Sequence, residues 1–309
     1  MKLYNKSVAA RKSGKLDDAV SLLKQSAANG YSLAQYDLGT CYSDGEGVEK
    51  DQQQAVYWVK LAAEQGHDGA QKFMGNAFYF GLGVEKNLEQ AVFWFGLAAE
   101  QGHVAAQNNL GICYQNGEGV EQNSEKAAYW WRIGAGKGEA LCQRHLSHLY
   151  TEGEGVEKDS KKAVYWLSKA AEQGDEEAQY NLGINYTEGE GVKQNLQTAV
   201  YWITLSAEQG AVNAQQYLGV AYKHGKGVAQ NQDQAIKWMR LAAEQGDQDA
   251  QFSLGFSYFE NGEVEQDQDQ EQAVYWVKLA AEQGHERAQS ILGFLYGLGE
   301  GVEKDQEQA

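Results

Sequence analysis

Residues 34–66 read AQYDLGTCYSDGEGVEKDQQQAVYWVKLAAEQG, and close variants of this stretch recur along the chain. Six tryptophans lie 36 residues apart and a seventh follows after 38 residues: Trp58, Trp94, Trp130, Trp166, Trp202, Trp238 and Trp276. The chain is therefore built from repeats of about 36 residues, with a two-residue insertion in the seventh full repeat. Trp131 is the only one of the eight tryptophans outside this series.

Each repeat contains two segments with helical spacing. Apolar residues in 34–42 are four residues apart, which predicts one face of a first helix. Asp51 with Gln54 predicts an N-cap and a capping box for a second helix, and Gly66 predicts its left-handed C′ residue. The apolar face of that second helix consists of Ala55, Trp58, Val59, Ala62 and Ala63.

The composition agrees with helices that end at regular intervals. The 309 residues include 36 glycines and no proline, and the glycines recur at four positions of the repeat, those of Gly39, Gly45, Gly47 and Gly66. One such unit cannot bury both of its faces alone, so neighbouring repeats must stack. The sequence predicts an all-α solenoid of about eight 36-residue helix-turn-helix repeats plus an incomplete last unit.

The charge balance argues against two classes of ligand. Lys and Arg number 26 and Asp and Glu number 43, which gives a formal net charge of −17. We therefore expect neither nucleic acid nor an anionic membrane surface as a partner. Three scattered cysteines do not form a disulfide framework, and no apolar run is long enough for a membrane span. Cytoplasm is the default compartment, and a periplasmic or secreted location applies if a leader is missing from this chain.

The recurring motifs Ala-Gln-x-x-Leu-Gly-x-x-Tyr, Gly-x-Gly-Val and Ala-Ala-Glu-Gln-Gly resemble the Sel1-like repeat, a relative of the tetratricopeptide repeat. The resemblance covers residues 31–309. It implies a right-handed αα superhelix that serves as a protein-interaction scaffold and is frequent in bacteria. It divides the chain into a capping helical hairpin at 1–30, seven full repeats at 31–284 and an incomplete one-helix repeat at 285–309.

The chain departs from the family pattern at three places. Ser147 replaces a glycine and Cys142 an alanine in the fourth full repeat, and the paired loop glycines are lost around 261–264, where we expect a reshaped loop. The chain stops where another second helix would begin, at Ala309. We expect either a fragment of a longer array or an exposed apolar face on the last helix, formed by Ile291, Leu292 and Leu295.

No catalytic constellation stands out, and we predict no enzyme activity, cofactor or metal. Ser21 and Lys24 match a Ser-x-x-Lys pair without the motifs that accompany it in penicillin-binding enzymes. Cys142, His145 and His148 share a helical stripe, but packing explains Cys142 better than metal ligation. Acidic residues of the repeat loops are expected to line one edge, either solvated or as a ridge for a basic partner: Glu46, Glu49, Asp51, Glu118, Glu154, Asp159, Glu190 and Glu300.

Function is expected where the repeat varies. By analogy with tetratricopeptide arrays, the first helices line a concave face through the positions of Tyr36, Thr40 and Ser43, which we call the groove face. Two patches emerge on it, one polar and cationic and one aromatic. The peptide-binding candidates are Lys72, Asn76, Tyr79, Asn108, Asn109, Arg144, His148, Tyr180, Phe252, Phe256, Phe259 and Phe294. The polar patch partly resembles the tetratricopeptide carboxylate clamp, although Leu141 and His145 stand where that clamp has basic residues.

We therefore predict a non-catalytic scaffold, monomeric in solution, that binds another protein or a peptide segment along the groove face. The aromatic residues leave open the alternatives of a glycan or cell-wall-fragment binder, or of a minor hydrolase activity, in the same groove. A spacer without a groove ligand is a third alternative.

Overall fold

The computed structural model describes residues 1–261 and 267–298. Within these ranges all regular structure is α-helical, which confirms the predicted fold class. The helices are α1 (Lys2–Lys12), α2 (Leu16–Ala28), α3 (Ser32–Asp44), α4 (Gln52–Glu64), α5 (Asp68–Phe80), α6 (Leu88–Glu100), α7 (Val104–Asn116), α8 (Ser124–Gly136), α9 (Ala140–Glu152), α10 (Ser160–Glu172), α11 (Glu176–Glu188), α12 (Leu196–Gln209), α13 (Val212–His224), α14 (Gln232–Glu244), α15 (Gln248–Asn261), α16 (Asp267–Glu282) and α17 (Glu286–Leu298).

The chain divides into two compact units, residues 1–159 and 160–309. In each unit consecutive helices pack on each other, and the apolar residues of one repeat meet those of the next. In the first unit, for example, Leu38 of α3 is fully buried in a cluster with Val20 and Leu23 of α2, and Trp58 of α4 packs against that cluster. The predicted stacking of helical pairs is thus the source of the core.

The second helices begin at the predicted N-caps. The Asp51 carboxylate accepts hydrogen bonds from the backbone N–H groups of Gln53 and Gln54, at 2.9 and 3.0 Å. The predicted capping box is only half formed, because the N–H of Asp51 donates to the Tyr42 carbonyl at 2.9 Å instead of to a Gln54 side chain. That backbone bond fixes the loop between the two helices to the end of the first helix.

Two glycine positions place helices at close range. A Cβ on Gly75 would lie 2.3 Å from the Phe95 ring, so the first helix of this repeat packs directly on the second. At the equivalent Gly111 the contact is Trp131, whose Nε1 donates to the Asn108 carbonyl at 3.2 Å. Trp131 is therefore equivalent to Phe95 and not to the tryptophans of the 36-residue series, which explains why it stands outside that series.

A second close approach, which was not predicted from the sequence, links the loops of several repeats to the preceding repeat. Gly83 has φ +72°, and a Cβ there would lie 2.2 Å from the Gln52 carbonyl oxygen at the start of α4. Equivalent contacts join Gly119 to Leu88 and Gly155 to Ser124. Only glycine satisfies both the left-handed backbone and the lack of space.

A ladder of glutamines runs through the buried side of the repeats. Gln71 Nε2 donates to the Ala63 carbonyl at 3.2 Å, and its Oε1 accepts from Gln101 Nε2 at 2.6 Å. The same side-chain pair recurs as Gln35–Gln65, Gln179–Gln209, Gln215–Gln245 and Gln251–Gln283. Each pair lies within one repeat and joins its first helix to the end of its second helix, whereas the bond to the alanine carbonyl, as from Gln71 to Ala63, connects that repeat to the preceding one.

The ladder is interrupted once in the first unit. Lys137 stands where the second glutamine is expected, and its Nζ donates to the Gly102 carbonyl at 2.8 Å. The Oε1 atom of Gln107 is consequently buried without a hydrogen-bond partner. Since a buried unpaired acceptor costs free energy, we expect this helix pair to be less stable than the equivalent pairs that have the glutamine bond.

Three further expectations concern the ends and loops. Leu295 is 5% exposed, and Ile291 and Leu292 are partly buried against the cluster around Val277, so the expected exposed apolar face on α17 is not formed. The reshaped loop expected around 261–264 lies almost wholly outside the described residues, and Ala309 lies outside them.

Candidate functional site

Five of the predicted groove residues line one cavity of about 440 Å³ in the first unit. They are Lys72, Asn76 and Tyr79 on α5 and Asn108 and Asn109 on α7. The remaining lining residues are Phe80, Phe95, Ala105, Ile112, Glu139 and Leu141. We call this space the asparagine cavity.

The asparagine cavity exists because small residues stand where other repeats have large ones. Ala105 is equivalent to Leu33 and Leu141, and Asn108 is equivalent to Tyr36 and Tyr180. In the first repeat the Tyr36 ring stacks on the next helix start, with its centroid 4.6 Å from that of the His67 ring. No ring fills that position at Asn108, so space remains between α5, α7 and the start of α9.

The asparagines are held in fixed orientations. Asn109 Nδ2 donates to Asn76 Oδ1 at 3.1 Å, which joins α5 to α7. Asn108 is 6% exposed, and its Oδ1 lies 3.9 Å from Cys142 Sγ. Because its backbone carbonyl also accepts from Trp131, Asn108 is positioned by both its main chain and its side chain. The carboxamides are therefore pre-organised at the wall of the cavity.

Tyr79 is held at the edge of the cavity by the loop of the next repeat. Its hydroxyl donates to Glu118 Oε2 at 2.5 Å. This hydrogen bond, together with burial, raises the pKa of Tyr79 to about 12. The phenol thus stays protonated at neutral pH, and its oxygen can accept a hydrogen bond from a ligand.

Other loop acids also contact the preceding repeat. Glu46 forms a bidentate ion pair with Arg11 of the N-terminal hairpin, and this hydrogen-bonded guanidinium lowers the pKa of the Glu46 carboxyl. Glu154 Oε2 accepts from Gln115 Nε2 at 2.5 Å. In the second unit Glu190 accepts from Ser160 at 3.3 Å. These glutamates connect repeats. The roles expected from the sequence were a solvated edge or a ridge for a basic partner.

Three other candidates lie away from the asparagine cavity. Arg144 is partly buried and His148 is exposed on α9, and neither lines the cavity. In the second unit Tyr180 packs against the cluster around Ile203, and burial raises its pKa. The polar patch predicted from the sequence is therefore divided, with its Lys and Asn members in one cavity and its Arg and His members outside it.

The helical stripe of Cys142, His145 and His148, which was considered as a metal site, makes other contacts. Cys142 is fully buried at the position of an alanine, opposite Gly134, where a Cβ would lie 2.4 Å from its sulfur. The His145 ring stacks on Trp131 with centroids 4.6 Å apart. Across residues 1–261 and 267–298, no cluster of three His, Cys, Asp or Glu side chains is arranged to hold a metal ion.

The four predicted phenylalanines of the second unit do not form one patch. Phe252 and Phe256 stack with ring centroids 6.0 Å apart, and Phe252 also stacks on His285 at 4.4 Å. Phe259 packs against the cluster around Val277, as Phe252 does in part. Phe294 is 65% exposed on α17. Of these four phenylalanines, Phe256 and Phe294 are exposed, and the partly buried Phe252 lines a cavity of about 530 Å³.

Six lining residues of the asparagine cavity were not among the candidates predicted from the sequence, and four of them lie at positions to which the sequence drew no attention. Phe80 is 63% exposed at a position where most other repeats have a polar residue such as Asp44 or Asn116. A large apolar residue at this position could therefore have indicated the site from the sequence. Glu139 is the N-cap of α9, yet its side chain caps nothing. The others, Phe95 and Ala105, carried no such signal, because both fit ordinary packing positions.

Comparison with known proteins identifies the family. The Sel1 repeat model matches residues 32–67, 69–103, 104–139, 140–175, 176–210, 212–247, 248–285 and 286–309. The chain belongs to the Sel1 repeat family, as its motifs predicted. A search of curated proteins gives no match.

Two solved bacterial structures are similar to this chain. One is c5321, a protective antigen present in uropathogenic Escherichia coli strains that displays an SLR fold; it is 38% identical with a TM-score of 0.85. The alignment covers 99% of this chain, which spans 66% of the length of c5321. The other is a Sel1 repeat protein from Oxalobacter formigenes, 32% identical with a TM-score of 0.71, over 78% of this chain and 97% of that protein.

In the described ranges no helix is both long enough and apolar enough to cross a bilayer.

Proposed function

We propose that this chain is a non-catalytic scaffold that binds other proteins, and that a peptide segment docks in the asparagine cavity of the first unit. Membership in the Sel1 repeat family supports protein binding as the general role, since stacked helical repeats present extended surfaces to partners.

The observation that carries the proposal is that several variable positions line the same cavity. Lys72, Asn76 and Asn108 were selected because the repeat varies there, and all three line a cavity of about 440 Å³. Ligand pockets typically measure about 300–1,000 Å³ and combine apolar walls with a few placed polar groups. Phe80, Phe95 and other apolar side chains supply the walls here, and the asparagines supply the polar groups.

A second contact is proposed in the second unit. The stacked Phe252–Phe256 pair offers an apolar anchor site, and Lys223 Nζ lies 5.6 Å from the centroid of the Phe256 ring. Exposed aromatic residues next to a cation are typical of interface hot spots. This site fits an apolar side chain of the same partner or of another one.

The test is to fill the asparagine cavity without changing the fold. Ala105→Leu installs the residue that the equivalent positions Leu33 and Leu141 already have. Asn213→Leu is the matched control, because it adds the same side chain at the equivalent exposed position of α13 in the second unit. A phage-displayed library of linear peptides is selected on the full wild-type chain, and the selected peptides are then measured on both variants.

We expect Ala105→Leu to weaken peptide binding at least tenfold and Asn213→Leu to leave it unchanged. Equal binding to the wild type and to Ala105→Leu would remove the asparagine cavity as the docking site. Selection of no linear peptide, with binding on a glycan array instead, would favour the glycan alternative and overturn the proposal.

We place the protein in the cytoplasm, because all three of its cysteines are free and buried. No cofactor is required by the proposed role, and the net charge of −17 makes proteins better partners than nucleic acid.

A further inference from the structure

The hydrogen-bonding groups of the asparagine cavity are unequally used by the protein itself. The side-chain oxygen of Asn76 accepts from Asn109, and that of Asn108 faces the Cys142 thiol. The NH₂ groups of Asn76 and Asn108 and the ammonium of Lys72 have no protein acceptor in the described residues. Asn108 as a residue is 6% exposed, and it lines the cavity, so its NH₂ group is available to a ligand that enters there.

Acceptors flank these donors. The oxygen of Tyr79 accepts at one edge, since its proton is given to Glu118. Asn109 Oδ1 and the Glu139 carboxylate, which makes no cap hydrogen bond, are further acceptors. A ligand that matches this wall must offer carbonyl oxygens to the asparagine NH₂ groups and N–H groups to the acceptors around them. A polypeptide main chain has this alternation of C=O and N–H groups.

The charges of the asparagine cavity distinguish an internal segment from a chain terminus. Lys72 is the only cation that lines it and Glu139 the only anion, so their formal charges cancel. A site for a terminal carboxylate would need an excess of positive charge. The walls formed by Phe80, Phe95 and Leu141 are suited to an uncharged apolar side chain.

We propose that the asparagine cavity binds the main chain of an internal, uncharged peptide segment through the side-chain NH₂ groups of Asn76 and Asn108, with an apolar side chain of the segment inserted between Phe80, Phe95 and Leu141. This inference rests on the proposed function and deepens it. The segment is recognised by its carbonyl groups and one apolar residue, and its ends extend beyond the cavity.

The experiment uses peptides selected on the wild-type chain, synthesised with free termini and with both termini blocked. Asn76→Asp and Asn108→Asp keep the shape of the side chain but replace the donor NH₂ by an acceptor oxygen, and Asn76→Asp retains the oxygen that accepts from Asn109. Asn213→Asp on α13 is the control for the added charge.

We expect Asn76→Asp and Asn108→Asp each to weaken binding about tenfold or more, whereas Asn213→Asp and blocking of the termini change it less than threefold. Circular dichroism and thermal unfolding confirm that each variant is folded. An ester in place of the recognised amide, scanned along the peptide, should lower affinity at one or two linkages only.

The results separate the two proposals. If Ala105→Leu abolishes binding but both Asn→Asp variants bind within twofold of the wild type, the cavity binds peptides by another chemistry and only this inference fails. If blocking the C-terminus abolishes binding, the ligand is a terminal carboxylate, which also overturns it. If no peptide binds the wild type, or if Ala105→Leu binds normally, the proposed function itself fails.

Discussion

Replacing Lys137 by glutamine should repair the interrupted ladder of the first unit. In the second unit the equivalent Gln245 donates to both the Gly210 carbonyl, at 3.0 Å, and Gln215 Oε1, at 2.9 Å. A glutamine at position 137 should therefore keep the bond that Lys137 makes to Gly102 and add one to the buried Gln107 oxygen.

The size of the effect follows from the environment of Gln107. A net intramolecular hydrogen bond contributes about 1 kcal/mol, and relief of a buried unsatisfied acceptor contributes in the same direction. We expect Lys137→Gln to raise the free energy of unfolding by about 1 kcal/mol, or Tm by about 2–4 °C for a cooperative unit of this size. Urea and thermal unfolding followed by circular dichroism measure both quantities.

Lys137→Met is the matched control, because it makes the same change in charge and has a similar length but no amide. It should give no gain. A double-mutant cycle with Gln107→Met isolates the new pair, and the benefit of glutamine at 137 should disappear in that background. The reasoning is refuted if Lys137→Gln is no more stable than Lys137→Met.

Two further predictions concern packing and thiol chemistry. Gly75→Ala should lower the free energy of unfolding by about 1–3 kcal/mol, because the new Cβ would lie 2.3 Å from Phe95. Gly96→Ala, in open space within α6, should raise the free energy of unfolding by about 0.5–1 kcal/mol. Shifts of the same sign for both variants in unfolding experiments would contradict this. Burial raises the pKa of Cys113 and Cys142 to about 12, and all three cysteines are free and buried. A thiol reagent at mildly alkaline pH should therefore label no cysteine in the native protein and all three in urea. Rapid labelling of the native protein would contradict this prediction.

The helical repeat was predictable because its signals are local. The C′ position of Gly66 and the N-cap at Asp51 depend on residues within one turn of the helix end, so a single repeat is enough to identify them. The recurrence of each signal at 36-residue intervals then indicated stacking without any knowledge of the contacts.

The candidate site was predictable only in part, because the shape of a cavity between helices is determined by residues of several repeats together. Varying positions identified Lys72 and Asn108, but the opening between helices comes from the small size of Ala105, and Phe95 enters from a second helix. No spacing rule connects these residues. The same limitation applies to Trp131, whose indole could be placed only once its contact with Gly111 was known.

Gly83 and its equivalents also constrain how such a gene can change in length. The loop glycines Gly83, Gly119 and Gly155 rest against the backbone where the preceding repeat's second helix begins, at Gln52 in the case of Gly83. Gain or loss of a complete repeat would preserve this fit at the new junction. A deletion of another length between that helix start and the glycine would shift the glycine away from the carbonyl, so we expect whole-repeat changes to be tolerated better than partial ones.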